Sequence, residues 1–333
     1  MRVNRDASGM TLVRWRTGLR RVLPLLVLLC SIALPGQAQT TATLSGTVSD
    51  DSGARIPGAT VIVKNAEIGL TRTTETDGQG SYTVASLPVG TYTVMAEKPG
   101  FSKKSLSGIV LQIDQKVHVD ITLGIAEAAE MVTVDSATPL VNTSTSDLGN
   151  VIENKRIVEL PLNGRQFVEL ALLTVGATSG ATKGGTATAF QLAGPMVSVN
   201  GARPNQNEFT LDGISITDNL FNTISMSPSV DAIQEFKVQS GLYSAESGSR
   251  GGAQVNILIK SGTNDVHGSV FHFLRNEVLD AKNYFDRADQ PIPSFKQNQF
   301  GFTLGGPIRK SQTLISGNYE WLFLIGPPRV KPN

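Results

Sequence analysis

Between residues 43 and 123, short runs of alternating apolar and polar residues are separated by turn-forming pairs such as Asp77-Gly78. The most regular of these runs are Leu44–Val48, Ala59–Lys64, Ser81–Val84, Thr91–Ala96 and Val117–Leu123. A period of two is typical of strands that bury one face. Seven such strands with this turn chemistry predict an antiparallel β-sandwich of about 80 residues.

From residue 147 to about residue 260 the periodicity is mixed. Apolar residues cluster at helical spacing in Val151–Glu159 and Phe167–Thr174, which predicts two short helices. Strand-like runs occur at Met196–Asn200, Asn207–Leu211, the second half of Val230–Val238, and Ala253–Ile259. Helices and strands mixed in this way are typical of a small α+β domain.

Beyond residue 265 the alternation becomes longer and more aromatic. The runs are Val266–Arg275, Gln297–Arg309 and Leu314–Leu324. Phe300 and Phe302 share one face of the second run, and Tyr319 and Trp321 share one face of the third. Apolar-out, polar-in alternation over about 10 residues is typical of membrane β-barrel strands. A soluble sheet that buries one face is the alternative that this pattern leaves open.

The first 38 residues have the pattern of a secretory signal peptide. A basic stretch precedes the apolar run Val22–Leu34, and Gly36-Gln37-Ala38 offers small residues for cleavage. The apolar run is shorter than the ~20 residues that a membrane-spanning helix needs. An uncleaved anchor remains the alternative, whereas lipidation at Cys30 is disfavoured because Leu29 before it is large.

Charge and reactive residues exclude several classes of function. Lys plus Arg number 29 against 28 acidic residues, so the chain lacks the basic excess of nucleic-acid-binding proteins. The histidines are His118, His267 and His272, and they do not form a ligand or catalytic set. We therefore expect no enzymatic activity, no cofactor and no metal site.

Several longer strings resemble the junction between plug and barrel in TonB-dependent outer-membrane receptors. They are Ile233–Gln239, Tyr243–Gly248 and Ile259–Ser269. Other strings, such as Pro57-Gly58-Ala59, Thr76–Tyr82 and Leu87–Tyr92, resemble a carboxypeptidase-regulatory-like (transthyretin-like) domain. Together they resemble the Oar-like group of these receptors, of which the chain is expected to be an N-terminal fragment.

The resemblance implies a mainly β fold with several parts. These are a signal peptide (1–38), a transthyretin-like β-sandwich (41–124), a linker (125–146), an α+β plug domain (147–261) and the first strands of an incomplete transmembrane β-barrel (262–333). A plug of this size fits a barrel of about 22 strands, far more than this chain offers. Arg165, Arg203 and Arg250 of the plug either pair with carboxylates of the barrel wall or are exposed.

The linker contains one isolated strand-like run. Such receptors present an extended box before the plug, which a periplasmic TonB-like energising protein captures by strand addition. Residues similar to that box are Glu130, Met131, Val132, Thr133 and Val134. A plain linker or a last strand of the sandwich is an equally open interpretation.

The resemblance implies gated uptake of a large or scarce solute across the cell outer membrane, with the sandwich in the periplasm. The implied partners are the TonB-like protein, outer-membrane lipid and an unknown transported solute, but no nucleic acid. The alternative is a secreted or surface-associated binding or adhesion module without transport activity.

Overall fold

The computed structural model describes residues 41–125, 131–135, 148–179, 196–220, 222–243, 250–282, 289, 291–292 and 294–325. The predicted signal peptide, Glu130 and most of the predicted linker lie outside the described residues. Within the described ranges, no helix combines the length and the apolar character that crossing a bilayer requires.

Residues 41–125, which we call the sandwich, fold into two sheets around one apolar core. Their strands are β1 (Ala42–Asp50), β2 (Thr60–Asn65), β3 (Leu70–Glu75), β4 (Ser81–Leu87), β5 (Gly90–Glu97), β6 (Lys103–Leu111), β7 (Lys116–His118) and β8 (Ile121–Leu123). One sheet has the order β4-β1-β7, with β8 also paired to β1. The other has the order β3-β2-β5-β6 and is extended by β9 (Met131–Asp135). From Ala42 to Val48 every second residue of β1 is buried, as the alternation predicts.

The sandwich differs from the prediction in strand direction. β7 and β8 run parallel to β1, and β9 runs parallel to β6, so the sheets are mixed rather than purely antiparallel. The chain leaves one sheet after Leu111 and enters the other at Lys116, and alternation does not encode that crossing. The predicted strand Val117–Leu123 is also interrupted, because Asp120 Oδ1 accepts a hydrogen bond from Thr47 N at 2.9 Å.

The described residues between 148 and 260, which we call the central segment, form a second core. Its strands are β10 (Leu148–Glu153), β11 (Ala177–Ser179), β12 (Val197–Val199), β13 (Glu208–Leu211), β14 (Ile214–Ser215), β15 (Ile233–Gly241) and β16 (Gln254–Ile259). The main sheet has the order β10-β15-β16-β13-β14, and β11 pairs with β12. Helix α1 (Asn154–Glu159) and the 3₁₀ helix Phe167–Leu173 bury Ile157 and Phe167 against it.

One predicted helix of the central segment is partly wrong. Val151, Ile152 and Glu153 belong to β10, which pairs antiparallel with β15, and only Asn154–Glu159 is helical. Backbone pairing along the edge of β15 outweighs the helical spacing of this short run. Two other predictions agree with the structure, since Phe167–Leu173 is helical and the second half of Val230–Val238 lies in β15.

The last described strands form the hairpin sheet. They are β17 (His267–Asn276), β18 (Lys296–Arg309) and β19 (Thr313–Ile325), paired antiparallel in that order. The register places Val270 beside Phe302, and Phe302 beside Tyr319. Because side chains alternate between the faces of a sheet, these three residues share one face, and Phe271, Thr303 and Glu320 lie on the other.

Candidate functional site

The central segment contacts the hairpin sheet through a buried arginine. Arg165 ends the short 3₁₀ turn Asn163–Arg165, and its Nη2 donates to Asp231 Oδ2. The guanidinium carbon lies 3.8 Å from the ring centroid of Phe273 and 5.2 Å from that of Phe271. The side chains of Arg165 and Asp231 are only 12% and 11% exposed. A charged pair of the central segment is therefore stacked on two rings of β17.

The electrostatics of this pair follow from its burial. Removal from water raises the pKa of Asp231, while Arg165 and Lys260 pull it down and Glu320 pushes it up. Arginine keeps its charge in proteins, so the pair is an ion pair whenever Asp231 is ionised. A planar guanidinium over an aromatic face gains further attraction from the ring quadrupole.

Glu320 supplies a second polar contact between the same two regions. Its carboxylate, on β19, accepts a hydrogen bond from Ser229 Oγ at 2.6 Å and one from Gln299 Nε2 at 2.5 Å. Ser229 comes just before the 3₁₀ turn that contains Asp231. This face of the hairpin sheet thus carries polar groups that are satisfied by the central segment and by neighbouring strands.

The opposite face of the hairpin sheet is aromatic and exposed. Phe300 stacks on Trp321 with centroids 6.4 Å apart, and Trp321 stacks on Phe323 at 5.4 Å. Phe302 and Tyr319 form a further stacked pair across β18 and β19. Phe302 is 47% exposed and Trp321 is 46% exposed. An apolar surface of this continuity on an otherwise folded chain marks a site for lipid or for another protein.

The predicted arginines have partners different from those expected. Arg165 pairs with Asp231, and Arg250 Nε donates to Glu208 Oε2 at 2.7 Å, so both carboxylates belong to the central segment rather than to the hairpin sheet. Arg203 is exposed, as the alternative interpretation has it. For Arg165 and Arg250 neither alternative matches the structure, because each pairs with a carboxylate of the central segment.

The histidines are separate from one another. His118 lies 3.1 Å from Asp120, His267 contacts the carbonyl of Asp265, and His272 Nε2 lies 3.4 Å from Asn298 Oδ1. In the part of the chain that the structure describes, no group of three or more His, Cys, Asp or Glu residues is arranged to hold a metal ion.

The strand-like run of the linker pairs with the sandwich. Met131 aligns with Lys103 and Asp135 with Ser107, so β9 extends the sheet next to β6. Four of the five residues predicted to bind the partner, Met131, Val132, Thr133 and Val134, lie in this strand; Glu130 lies outside the described residues. Within the described residues β9 is the last strand of its sheet, with β6 on one side.

Sequence reasoning did not identify Asp231, Glu320, Glu235 and Lys237 as contact residues. The signal for the last two was present, because Glu235 and Lys237 are two positions apart in a strand and therefore share one face. For Asp231 and Glu320 no local pattern indicates the partner, since the chain positions of Arg165 and Ser229 are distant.

Two family models match the chain. Residues 43–124 match the carboxypeptidase regulatory-like domain, and residues 258–327 match the outer membrane beta barrel domain. Over 284 residues the chain is 29% identical to the TonB-dependent transporter Oar of Myxococcus xanthus. The aligned region covers 81% of this chain and 26% of that protein. The chain thus spans about a quarter of the length of the curated relative that it matches.

Solved structures of outer-membrane proteins are also similar to part of the chain. The siderophore receptor PirA from Acinetobacter baumannii is 22% identical, with 52% of this chain and 24% of that chain covered and a TM-score of 0.38. The outer membrane transporter YddB from Escherichia coli is 16% identical, with 52% and 26% covered and a TM-score of 0.43.

Proposed function

Given that the chain is related to TonB-dependent outer-membrane receptors of the Oar-like group, as its sequence predicts and the comparisons confirm, we propose that it is part of an outer-membrane transporter. The transporter takes up a large or scarce solute by gating. In this proposal residues 1–38 are the signal peptide, 41–124 the periplasmic sandwich, 125–146 the linker, 147–261 the plug and 262–333 part of the barrel wall.

The observation that carries the proposal is the two-sided chemistry of the hairpin sheet. Its aromatic face, with Phe300, Phe302 and Trp321, is exposed, whereas Glu320 on the other face bonds to Ser229 of the central segment. A barrel wall needs this distribution, because its outer face meets lipid and its inner face meets polar groups. A sheet of a soluble protein has its apolar face covered by protein instead.

The proposed partner is a periplasmic TonB-like protein that binds Glu130–Val134. Strand addition requires a backbone edge, and β9 is paired on one side by β6 while its other side ends the sheet among the described residues. The partner strand can therefore extend the sheet beyond β9. When the partner binds in this way, β9 stays paired with β6 of the sandwich. A force that the partner exerts on β9 therefore acts on the sandwich as well as on the linker.

Cross-linking in cells tests the function and the partner segment. Single cysteines at Met131, Val132, Thr133 and Val134 of the natural gene product are combined with a cysteine in the strand-forming segment of the host's TonB-like protein. We expect disulfide cross-links from these positions, and we expect them to survive deletion of the neighbouring segment Ser136–Leu140. Since only strand addition brings the two backbones together, absence of cross-links from all four positions contradicts the partner assignment.

Fractionation of the same cells tests the transporter itself. We expect the protein in the outer membrane, in a form that only detergent extracts, whether or not Glu130–Val134 is deleted. Recovery of the gene product in the aqueous periplasmic or extracellular fraction contradicts the transporter and supports the binding-module alternative.

A further inference from the structure

The turn between β6 and β7 of the sandwich lies against the main sheet of the central segment. Ile113 in this turn is fully buried, yet its side chain belongs to neither the core of the sandwich nor that of the central segment. Ile113 N donates to Glu235 Oε2 at 2.8 Å, and Lys237 Nζ donates to Ile113 O at 3.1 Å. The amide and the carbonyl of one residue are therefore held by two charged side chains of β15.

Neighbouring groups complete the contact. Lys237 Nζ also donates to Asp114 O at 3.1 Å, and Asn256 Nδ2 of β16 donates to Asp114 Oδ2. At the edge of the sheet, Gln112 Nε2 donates to Glu153 Oε1 of β10 at 3.1 Å. Three adjacent strands of the central segment thus bind one four-residue turn of the sandwich.

The polar side chains that β15 and β16 direct toward this turn are buried. Glu235, Lys237 and Asn256 are 7%, 6% and 4% exposed, whereas Phe236 and Val238 on the opposite face pack in the core of the central segment. A buried charge is stable only when it is paired or hydrogen-bonded. The turn supplies these hydrogen bonds to Glu235 and Lys237 through backbone groups, and to Asn256 through the side chain of Asp114.

A second contact lies at the other end of the sandwich. Asn264, between the central segment and β17, donates from its backbone N to Glu67 O at 2.7 Å. Its side chain donates to Ala66 O at 3.2 Å and accepts from Ser311 N, in the turn between β18 and β19, at 2.6 Å. Asn264 therefore joins the β2–β3 turn of the sandwich to a turn of the hairpin sheet.

We propose that the polar face formed by Glu235, Lys237 and Asn256 is an intramolecular docking site for the Gln112–Gln115 turn, and that Asn264 provides a second anchor. The sandwich is then a module fixed to the central segment and to one end of the hairpin sheet, not a domain on a free tether. This inference concerns how the parts of the chain are joined, and it does not rest on transport.

Docking of this kind depends on pH. Burial raises the pKa of Glu235 to about 7; Ile113 N and Lys237 oppose the rise, and Glu153 adds to it. Asp114 of the docked turn also lies at this site, where its Oδ2 accepts a hydrogen bond from Asn256 Nδ2. Because the docked state raises the pKa of a carboxyl group, it binds more protons than the undocked state between the ordinary pKa and about 7. Docking is therefore strongest below this range and weakens as pH rises through it.

Hydrogen exchange on the full chain tests the docking site. Lys237→Met keeps a long side chain but removes the charged donor to Ile113 O and Asp114 O. We expect peptides that contain Gln112–Gln115 to exchange about 10- to 100-fold faster, the factor for losing hydrogen bonds to a charged group. Lys98→Met is the matched control, because Lys98 Nζ donates to Gly58 O within the sandwich.

Amides of β2, β5 and β16 report whether each variant is folded, and they are expected to exchange at the wild-type rate. Equal exchange of the turn in the wild type and in Lys237→Met, with these amides protected, overturns the proposal. Rapid exchange of the turn in the wild-type chain overturns it too.

The variant Glu235→Gln tests the pH dependence separately. After correction for the chemical exchange rate, protection of the turn is expected to fall from about pH 5 to about pH 8 in the wild type but not in this variant. The same fall in both proteins contradicts the role of Glu235.

Discussion

The sandwich and the hairpin sheet are both built from strands that alternate apolar and polar residues, but they place the apolar residues in opposite surroundings. Leu44 of β1 is completely buried between two sheets, whereas Leu304 of β18 is 57% exposed. Each sheet of the sandwich covers the other. Among the described residues, the apolar face of the hairpin sheet has no such cover, and it carries the stacked pairs Phe300–Trp321, Phe302–Tyr319 and Trp321–Phe323.

The difference teaches that alternation identifies a strand with one apolar face but does not indicate what covers that face. In the sandwich the apolar faces are covered by protein. In the hairpin sheet the exposed face is apolar and the face toward the central segment carries Glu320 and Gln299, which is the inverse of a water-soluble sheet. We therefore assign the exposed face to lipid in the proposed transporter.

The largest effect is expected where the inner face of the hairpin sheet meets the central segment. Arg165→Met leaves the buried Asp231 carboxylate without its paired guanidinium and removes that guanidinium from Phe273. Breaking a buried ion pair from one side costs about 3–5 kcal/mol. We expect a loss of this size in the free energy of unfolding of the central segment, measured by denaturant-dependent hydrogen exchange of β15 and β16.

Arg203→Met is the matched control, because Arg203 is exposed. It is expected to change stability by less than about 0.5 kcal/mol. Adding Asp231→Asn to Arg165→Met is expected to recover part of the loss, since the orphaned carboxylate is then absent. Equal, small effects of Arg165→Met and Arg203→Met would show that the Arg165–Asp231 pair does not stabilise the central segment.

A smaller but cleaner contrast comes from the same substitution in the two sheets. Leu44→Ala opens a cavity in the sandwich core and is expected to lower its stability by about 2–5 kcal/mol. Leu304→Ala removes an exposed side chain and is expected to change the stability of the hairpin sheet in water by less than about 0.5 kcal/mol. Hydrogen exchange of β1 and β18 in denaturant measures both, and a large loss for Leu304→Ala indicates that protein, not solvent, covers that face.

Much of the fold was accessible from sequence because the deciding information is local. Turn pairs such as Asp77-Gly78 separate strands whose period shows which residues face inward, and the long aromatic runs give β18 and β19 almost residue by residue. The resemblance to a receptor family added the order of the domains. Strand direction does not follow from this pattern, because β7 and β8 differ from antiparallel strands only in where the chain crosses between sheets.

The candidate site was less accessible because its contacts join distant residues. Arg165 was singled out, but its partner Asp231 lies 66 residues away, and Glu235 meets Ile113 over 122 residues. Both faces of β15 are buried. The sequence does not indicate this, because the polar face of a strand normally faces solvent. For β9, five strand-forming residues predict a strand but do not indicate that β6 is its neighbour.

The two faces of β18 provide the most direct test of the central claim. Nitroxide labels are placed at Phe302→Cys and, separately, at Thr303→Cys of the natural gene product in outer membranes. Collision rates are then measured with oxygen, which concentrates in lipid, and with a water-soluble nickel chelate. A lipid-facing wall predicts that the label at 302 collides mainly with oxygen, whereas the label at 303 is shielded from lipid. Equal access of the nickel chelate to both labels, or a label at 302 that collides mainly with nickel, contradicts the account.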